Sequence, residues 1–283
     1  MLLPLRATNK KKATTPLLIL AIALALLATL RAQQNAQPNW LATFIENYNK
    51  QDLPILQVVS QDGRFRGTAF AISDTFVITA GHVANTAGID LVAAAQGEEE
   101  VQIGTEINLR APNTDPTSPS ALIKSKVHEY HRYVDICILK LKEPRKWRAT
   151  IPVEFTTAQL HEPLTVIGFA PARTKITKKQ NGNTQTETIR SAQLFILPNI
   201  TTVAPKLTTL WTALFFANDE EKQPCDFVLM ENSLVGGSSG SPVLNSKGNA
   251  IAVFVGHMDN FGIASYLYQI ETSLRKILPN QNK

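Results

Sequence analysis

Short runs of apolar or alternating residues, separated by turn signals, recur along most of the chain. Runs of this length, bounded by Gly, Pro, Asn, Asp and Ser, are typical of β-strands. The predicted strands are Ile55–Ser60, Phe65–Ser73, Phe76–Thr79, Ile89–Ala95, Val101–Leu109, Ala121–Val127, Ile136–Leu141, Leu164–Phe169, Thr188–Leu197, Phe227–Glu231, Ala250–Val255 and Gly262–Ser265. Many short strands with turns between them predict an all-β protein, either a sandwich or a pair of barrels.

Two predicted helices frame these strands, at Asn39–Asn49 and Tyr266–Leu278, where apolar residues follow the spacing of three and four. Asn181-Gly182, between polar flanks, is a strong signal for a tight hairpin turn. A break near residues 143–155 divides the strands into two similar groups. The chain is therefore predicted to contain two β halves of comparable size.

The first 31 residues predict export. Lys10–Lys12 precede Leu17–Leu30, which is apolar apart from Thr29. This run is shorter than the ~20 residues of a membrane-spanning helix and fits a signal peptide, although its Ala-x-Ala triplets lie inside the run rather than after it. Residues 1–31 are thus an export signal or an uncleaved N-terminal membrane anchor. Either reading places the rest of the chain in the periplasm or outside the cell.

The charge of the chain belongs largely to that segment. The net charge is +5 with 28 basic and 23 acidic residues, and the sequence pI is about 9.2. Residues 1–31 contain no acidic residue but five basic ones: Arg6, Lys10, Lys11, Lys12 and Arg31. The remainder is formally neutral, so no nucleic-acid partner is expected. A small basic cluster, predicted to be a solvated hairpin tip, consists of Arg173, Lys175, Lys178 and Lys179.

Cysteine usage excludes an exported domain held together by several disulfides. Only Cys137 and Cys225 are present. Cys137 lies inside an apolar run, where a free thiol behaves as a small hydrophobic group. Free thiols are therefore favoured over a single bridge.

Three stretches contain residue types used in nucleophilic catalysis. Thr79-Ala80-Gly81-His82-Val83 follows a predicted strand, Asp135 precedes the strand Ile136–Leu141, and a Gly/Ser loop spans Gly236–Val243. A serine hydroxyl is a weak nucleophile at neutral pH and needs a neighbouring base, usually histidine, that a third group orients. The three stretches supply these residue types.

In this order the three motifs resemble the chymotrypsin/trypsin-like serine protease family. They are most similar to its bacterial branch, which includes glutamyl endopeptidase and HtrA-type catalytic domains, here without a PDZ domain. The resemblance also covers Gly67–Phe70 and the pair His128 and Tyr130, and it extends over Ile55–Leu278. It implies two six-stranded antiparallel Greek-key β-barrels and a C-terminal helix.

The resemblance also implies a domain organisation. Residues 32–54 would be a linker with a short helix, and residues 55–283 a trypsin-like peptidase domain. Within this domain the N-terminal barrel would cover about 55–145, the C-terminal barrel about 151–265 and the C-terminal helix 266–278.

The resemblance assigns roles to individual residues. His82 would be the general base and then the acid, Asp135 would orient it, and Ser239 would be the nucleophile. The backbone amides of Gly237 and Ser239 would form the oxyanion hole, and Gly237 permits the backbone turn that this requires. The expected reaction is hydrolysis of protein or peptide substrates through an acyl-enzyme, without a metal or organic cofactor.

Substrate specificity is weakly encoded in the sequence. Ser233, Phe254 and Gly256 match positions that form the side-chain pocket of the family, and together they predict an uncharged substrate side chain. Ser238 stands where animal digestive relatives have Asp. The ion pair that activates those relatives after cleavage is therefore not expected here.

Several alternative interpretations fit part of the pattern. Gly236-x-Ser238-x-Gly240 also fits the nucleophile elbow of another hydrolase fold. That fold needs an acidic residue after the serine and then a histidine, but no acidic residue lies between Ser238 and His257. His128 and His131 lack further metal ligands nearby. An inactive homologue that binds peptides, and an esterase using the same three residues, stay open.

Overall fold

A computed structural model describes residues 39–47, 53–88, 101–112, 114, 118, 121–180, 183–209, 224–231 and 237–278. Residues Pro38–Lys283 form one compact unit. The predicted export segment, the predicted strand Ile89–Ala95, the turn Asn181-Gly182 and Ser233 lie outside the described residues. Among the helices of the described ranges, none is both long and apolar enough to span a membrane.

Six antiparallel strands close the first barrel in the order β1-β2-β3-β6-β5-β4. Cross-strand pairs such as Phe70–Ile78 and Ile78–Ile138 place large apolar residues in its interior. The strands are β1 (Ile55–Val59), β2 (Phe65–Ala71), β3 (Phe76–Ala80), β4 (Glu106–Arg110), β5 (Leu122–His131) and β6 (Ile136–Leu141).

Six more strands close the second barrel in the order β10-β11-β12-β9-β8-β7. They are β7 (Pro163–Gln180), β8 (Asn183–Thr209), β9 (Cys225–Glu231), β10 (Pro242–Leu244), β11 (Ala250–Met258) and β12 (Phe261–Tyr266). The prediction of an all-β protein with two six-stranded antiparallel barrels is thus confirmed. Closure leaves neither sheet with an open edge.

The described helices are α1 (Asn39–Asn47), α2 (Gly81–Gly88) and α3 (Glu271–Ile277), with 3-10 helices at Arg132–Val134 and Leu267–Ile270. The predicted C-terminal helix is present but begins later than Tyr266. That residue ends β12, and its fully buried side chain belongs to the barrel core. Helix α2 was not predicted, because Gly81, Thr86 and Gly88 weaken its sequence signal.

Two strand predictions need correction. A strand was predicted from Val101, but β4 begins at Glu106, because a turn with Gly104 at φ 91° precedes it. Strands β7 and β8 are far longer than predicted and pair continuously toward Gln180–Asn183 as one extended hairpin. The sequence of this arm is polar, and it therefore lacked the apolar pattern from which strands were predicted.

Candidate active site

His82 is placed by the junction between β3 and α2. It is the second residue of α2, and the amide of Gly81 before it donates to the Asp135 carbonyl at 2.8 Å. A Cβ at position 81 would lie 2.8 Å from Asp135 Oδ1 and 2.9 Å from Tyr130 Cε2. Any larger residue at position 81 would therefore require these two side chains or α2 to shift.

Both carboxylate oxygens of Asp135 bind His82. Oδ1 accepts the His82 backbone N–H at 2.7 Å, and Oδ2 lies 2.6 Å from ring Nδ1. A carboxylate accepts only, so Nδ1 carries the proton of this bond and Nε2 is the nitrogen with a basic lone pair. The sequence-predicted pair of His82 and Asp135 is brought into direct contact, in the geometry of an oriented general base.

The Asp135 side chain is 3% exposed and the His82 ring 30% exposed. Burial by itself lowers the pKa of His82, but the charge of Asp135 and its hydrogen bond outweigh it and raise the pKa above the ordinary value. The imidazolium form of His82 is thereby stabilised, which suits a group that must take up a proton during a reaction.

The Gly/Ser loop has a backbone that depends on its glycines. Gly237 has φ 93° and Gly240 has φ 87°, both in the left-handed region. Ser239 between them is partly exposed, whereas Ser238 is fully buried. The loop is fixed by hydrogen bonds from the Ser241 amide to the Ser238 carbonyl at 3.0 Å, and from the Gly240 amide to a carbonyl of β11 at 2.8 Å.

The His82 helix and the Ser239 loop meet at Gly67 on β2. A Cβ at Gly67 would lie 2.7 Å from the methyl carbons of Val83 and 2.9 Å from the carbonyl oxygen of Ser239. The residue after His82 and the predicted nucleophile therefore pack against the same glycine. The helix that contains His82 and the loop that contains Ser239 thus approach each other at Gly67.

The predicted side-chain pocket is described only in part. Ser233 lies outside the described residues. The Phe254 side chain is 2% exposed and packs in the core of the second barrel, while its main chain bonds to the Gly/Ser loop. Gly256 is partly exposed at a register shift in the pairing of β11 with β12. The pocket stays a prediction.

The histidines of β5 make other contacts. His131 Nε2 lies 3.2 Å from a carboxylate oxygen of Glu129, and the His128 ring packs against Phe76 with ring centroids 5.1 Å apart. Within the described ranges no three His, Cys, Asp or Glu residues converge as metal ligands would. Cys137 and Cys225 are buried free thiols.

Residues missed by the sequence analysis support the candidate site. Thr68 on β2 binds the Gly/Ser loop from the first barrel. Asn85 on α2 donates to the Tyr130 hydroxyl at 3.0 Å and accepts the Val101 amide at 3.0 Å, which fixes the helix that contains His82. A polar residue three positions after His82 was the available signal for Asn85. Thr68 lies within the resemblance over Gly67–Phe70, but its bonds to the Gly/Ser loop could not be predicted, because these partners are distant in sequence.

The comparisons with known proteins agree with this arrangement. The family model of the trypsin-like peptidase domain matches residues 67–253. Among solved structures, the active form of the Rv3671c protease from M. tuberculosis is similar, with 16% identity, a TM-score of 0.52, and coverage of 86% of this chain and 88% of that one. Its inactive form has 16% identity and a TM-score of 0.53, with coverage of 86% and 98%. No curated protein sequence is significantly similar. The chain is a member of the trypsin-like peptidase family and a serine-type peptidase.

Proposed function

We propose that this chain is an endopeptidase that hydrolyses peptide bonds of protein or peptide substrates, with Ser239 as nucleophile, His82 as general base and acid, and Asp135 as its orienting carboxylate. The observation that carries the proposal is the His82–Asp135 pair, in which both carboxylate oxygens bind one histidine. The helix that contains His82 and the loop that contains the partly exposed Ser239 both approach Gly67, which supports the proposal.

In the first step, Nε2 of His82 takes the proton of the Ser239 hydroxyl as its oxygen attacks the scissile carbonyl carbon. The resulting imidazolium is stabilised by the buried Asp135 carboxylate, which agrees with the raised pKa of His82. His82 then returns the proton to the leaving amine, and the acyl group stays on Ser239. A water molecule, which gives its proton to His82, then attacks the acyl carbonyl. The bond to Ser239 breaks, the serine oxygen regains a proton from His82, and the second product leaves.

The negative charge of the tetrahedral intermediate needs donors that are already in place. We assign this role to the backbone amides of Gly237 and Ser239. Two observations support this assignment. Gly237 has a left-handed backbone, and a Cβ there would lie 2.5 Å from the Phe65 ring and 3.0 Å from Pro171, so glycine suits this turn. Preformed donors of this kind contribute about 10²–10³-fold in rate.

Two further features of the proposal concern location and specificity. Export by residues 1–31 follows from the basic and apolar pattern of that segment, either as a cleaved signal or as a membrane tether. An uncharged substrate side chain is proposed from Ser233, Phe254 and Gly256 at the corresponding positions. A peptide library tests this specificity. Cleavage mainly at acidic or basic residues would contradict it.

The decisive experiment treats the full-length chain, in mild detergent, with a fluorophosphonate probe that reacts only with activated serines. Wild type should be labelled at Ser239, Ser239→Ala should not, and the neighbouring Ser238→Ala should keep most of its labelling. Peptide and ester substrates are then compared. Absence of labelling in folded wild type would favour an inactive, peptide-binding homologue, and turnover of esters without peptides would favour an esterase.

A further inference from the structure

Thr68 is a fully buried polar residue of β2. It makes two hydrogen bonds to the Gly/Ser loop, one to β7 and one to β3. Buried hydroxyl groups need partners, but most obtain them from their own or a neighbouring strand. The partners of Thr68 belong to three parts of the chain, two of them in the second half. Its position indicates a role beyond packing of the first barrel.

The hydroxyl of Thr68 connects two elements of the second half. It donates to the Gly237 carbonyl at 3.2 Å and accepts the Phe169 amide of β7 at 2.9 Å. A hydroxyl has one proton and two lone pairs, so it can serve both at once. Without it, a buried N–H and a carbonyl at the loop would both lose their partner.

The main chain of Thr68 holds the other side of the nucleophile. Its N–H donates to the Ser239 carbonyl at 2.9 Å, and its carbonyl accepts the Thr79 hydroxyl at 2.6 Å. Thr79 lies on β3, three residues before His82. Thr68 is therefore bonded both to the loop of the nucleophile and to the strand that leads to the base.

These bonds fix successive peptide planes of the loop. In a trans peptide the C=O and the N–H point in opposite directions, so a held carbonyl also aims the amide of the next residue. Thr68 holds the Gly237 and Ser239 carbonyls, and the Ser241 amide holds the Ser238 carbonyl between them. The Ser238 carbonyl shares its peptide plane with the Ser239 amide, which is one of the two proposed oxyanion donors.

We propose that Thr68 is a positioning residue for the peptidase reaction: its hydroxyl and its N–H hold the peptide planes on either side of the Ser239 amide, so that this oxyanion-binding donor is aimed before substrate arrives. This inference rests on the proposed function of that loop. Threonine supplies this bond from the opposite barrel, so alignment of the donors requires that the two barrels be docked.

The test compares Thr68→Val, which keeps the shape and removes the hydroxyl, with Thr68→Ser, which keeps the hydroxyl. The rate of fluorophosphonate labelling per folded molecule should fall roughly 10- to 100-fold in Thr68→Val, because small misplacements of catalytic groups have effects of this size. Thr68→Ser should recover most of it. The pH midpoint of labelling should stay unchanged, since the His82–Asp135 pair is not touched.

Thr202→Val is the matched control. Thr202 is also fully buried, and its hydroxyl donates to the Glu162 carbonyl at 2.9 Å. It should lower the melting temperature as Thr68→Val does but leave the labelling rate near wild type. Equal loss of labelling in the two variants, or no recovery in Thr68→Ser, would overturn the positioning role.

Hydrogen exchange separates this inference from the proposed function. The Ser241 amide is bonded to the Ser238 carbonyl within the loop, and the Gly240 amide is bonded to the Phe254 carbonyl of β11. Both amides should exchange faster in Thr68→Val but not in Thr202→Val. Unchanged exchange would overturn the inference whether or not the protein is active. Wild type that resists labelling while Thr68→Val shows faster exchange would contradict the peptidase assignment alone.

Discussion

The two halves of the candidate site are built in different ways. The acid–base half, His82 and Asp135, is contained in the first barrel, where β3 and β6 pair directly through Ala80–Ile136 and bring the two residues together. The nucleophile half, the loop Gly237–Pro242, depends on left-handed glycines and on bonds that come from β2 of the other barrel.

This difference separates local from global control. The acid–base half is as stable as the strand pairing beneath it, and it should persist as long as the first barrel is folded. The nucleophile half needs both barrels and their interface. Perturbations of the interface should therefore affect the serine loop before they affect the His82–Asp135 pair.

The largest effect is expected from Asp135→Asn, which breaks the acid–base half and leaves the fold intact. An amide in place of the carboxylate favours the wrong tautomer of His82, and kcat should fall by about 10⁴-fold. Asp226→Asn is the control, because Asp226 is a hydrogen-bonded carboxylate of the second barrel whose partners are Thr208 and Tyr268. A loss of less than tenfold in steady-state kinetics for Asp135→Asn would contradict its role.

The nucleophile half is tested by Gly240→Ala. A Cβ at Gly240 would lie 1.9 Å from the Thr68 carbonyl oxygen, and φ is already 87°. The unfolding free energy should fall by about 3 kcal/mol or more, since backbone strain and overpacking combine. Gly104→Ala has a similar φ of 91° with open space around it and should lose only about 1 kcal/mol. Urea unfolding compares the two, and equal losses would show that the loop can yield.

A pH profile sharpens the comparison further. His82 must be neutral to accept a proton, so activity should fall as the pH drops through its raised pKa. In Asp135→Asn the carboxylate no longer opposes burial, and the midpoint of the residual kcat/KM should move to lower pH. Thr68→Val, which acts on the other half, should keep the wild-type midpoint. A profile that shifts equally in both variants would argue against two separable halves.

The smallest effect is expected from Tyr130→Phe. It removes the hydroxyl that accepts from Asn85 and should reduce stability by about 1 kcal/mol, with a less than tenfold loss of kcat. Tyr268→Phe, which removes a hydroxyl bonded to Asp226, is the control: it should reduce stability without changing the activity of the remaining folded protein. Both are measured by thermal unfolding and kinetics.

The sequence was most informative about the acid–base half. His82 and Asp135 each adjoin a short apolar strand, and strand pairing within one barrel converts those local patterns into proximity. The need for glycine in the Gly/Ser loop could also be predicted, because only glycine adopts the left-handed conformation easily. The number and spacing of apolar runs predicted a sandwich or a pair of barrels, and the resemblance of the three motifs indicated the barrels.

Contacts between the barrels were beyond sequence reasoning. Thr68 and Gly237 are separated by 169 positions, and no local pattern links them. The burial of Phe254 could not be anticipated either, because the side of the sheet that a residue faces depends on register and on the bulge after it. The long β7–β8 arm was underestimated because its sequence is largely polar.

Asp135 itself adopts a left-handed backbone, with φ 53° and ψ 44° at the end of a 3-10 helix. This conformation costs most residues about 1–2 kcal/mol, but aspartate and asparagine adopt it more readily than other non-glycine residues. Selection for thermal stability alone should therefore accept either residue at position 135, whereas selection for turnover should keep only aspartate. In a laboratory evolution experiment this position would thus report which of the two properties is under selection.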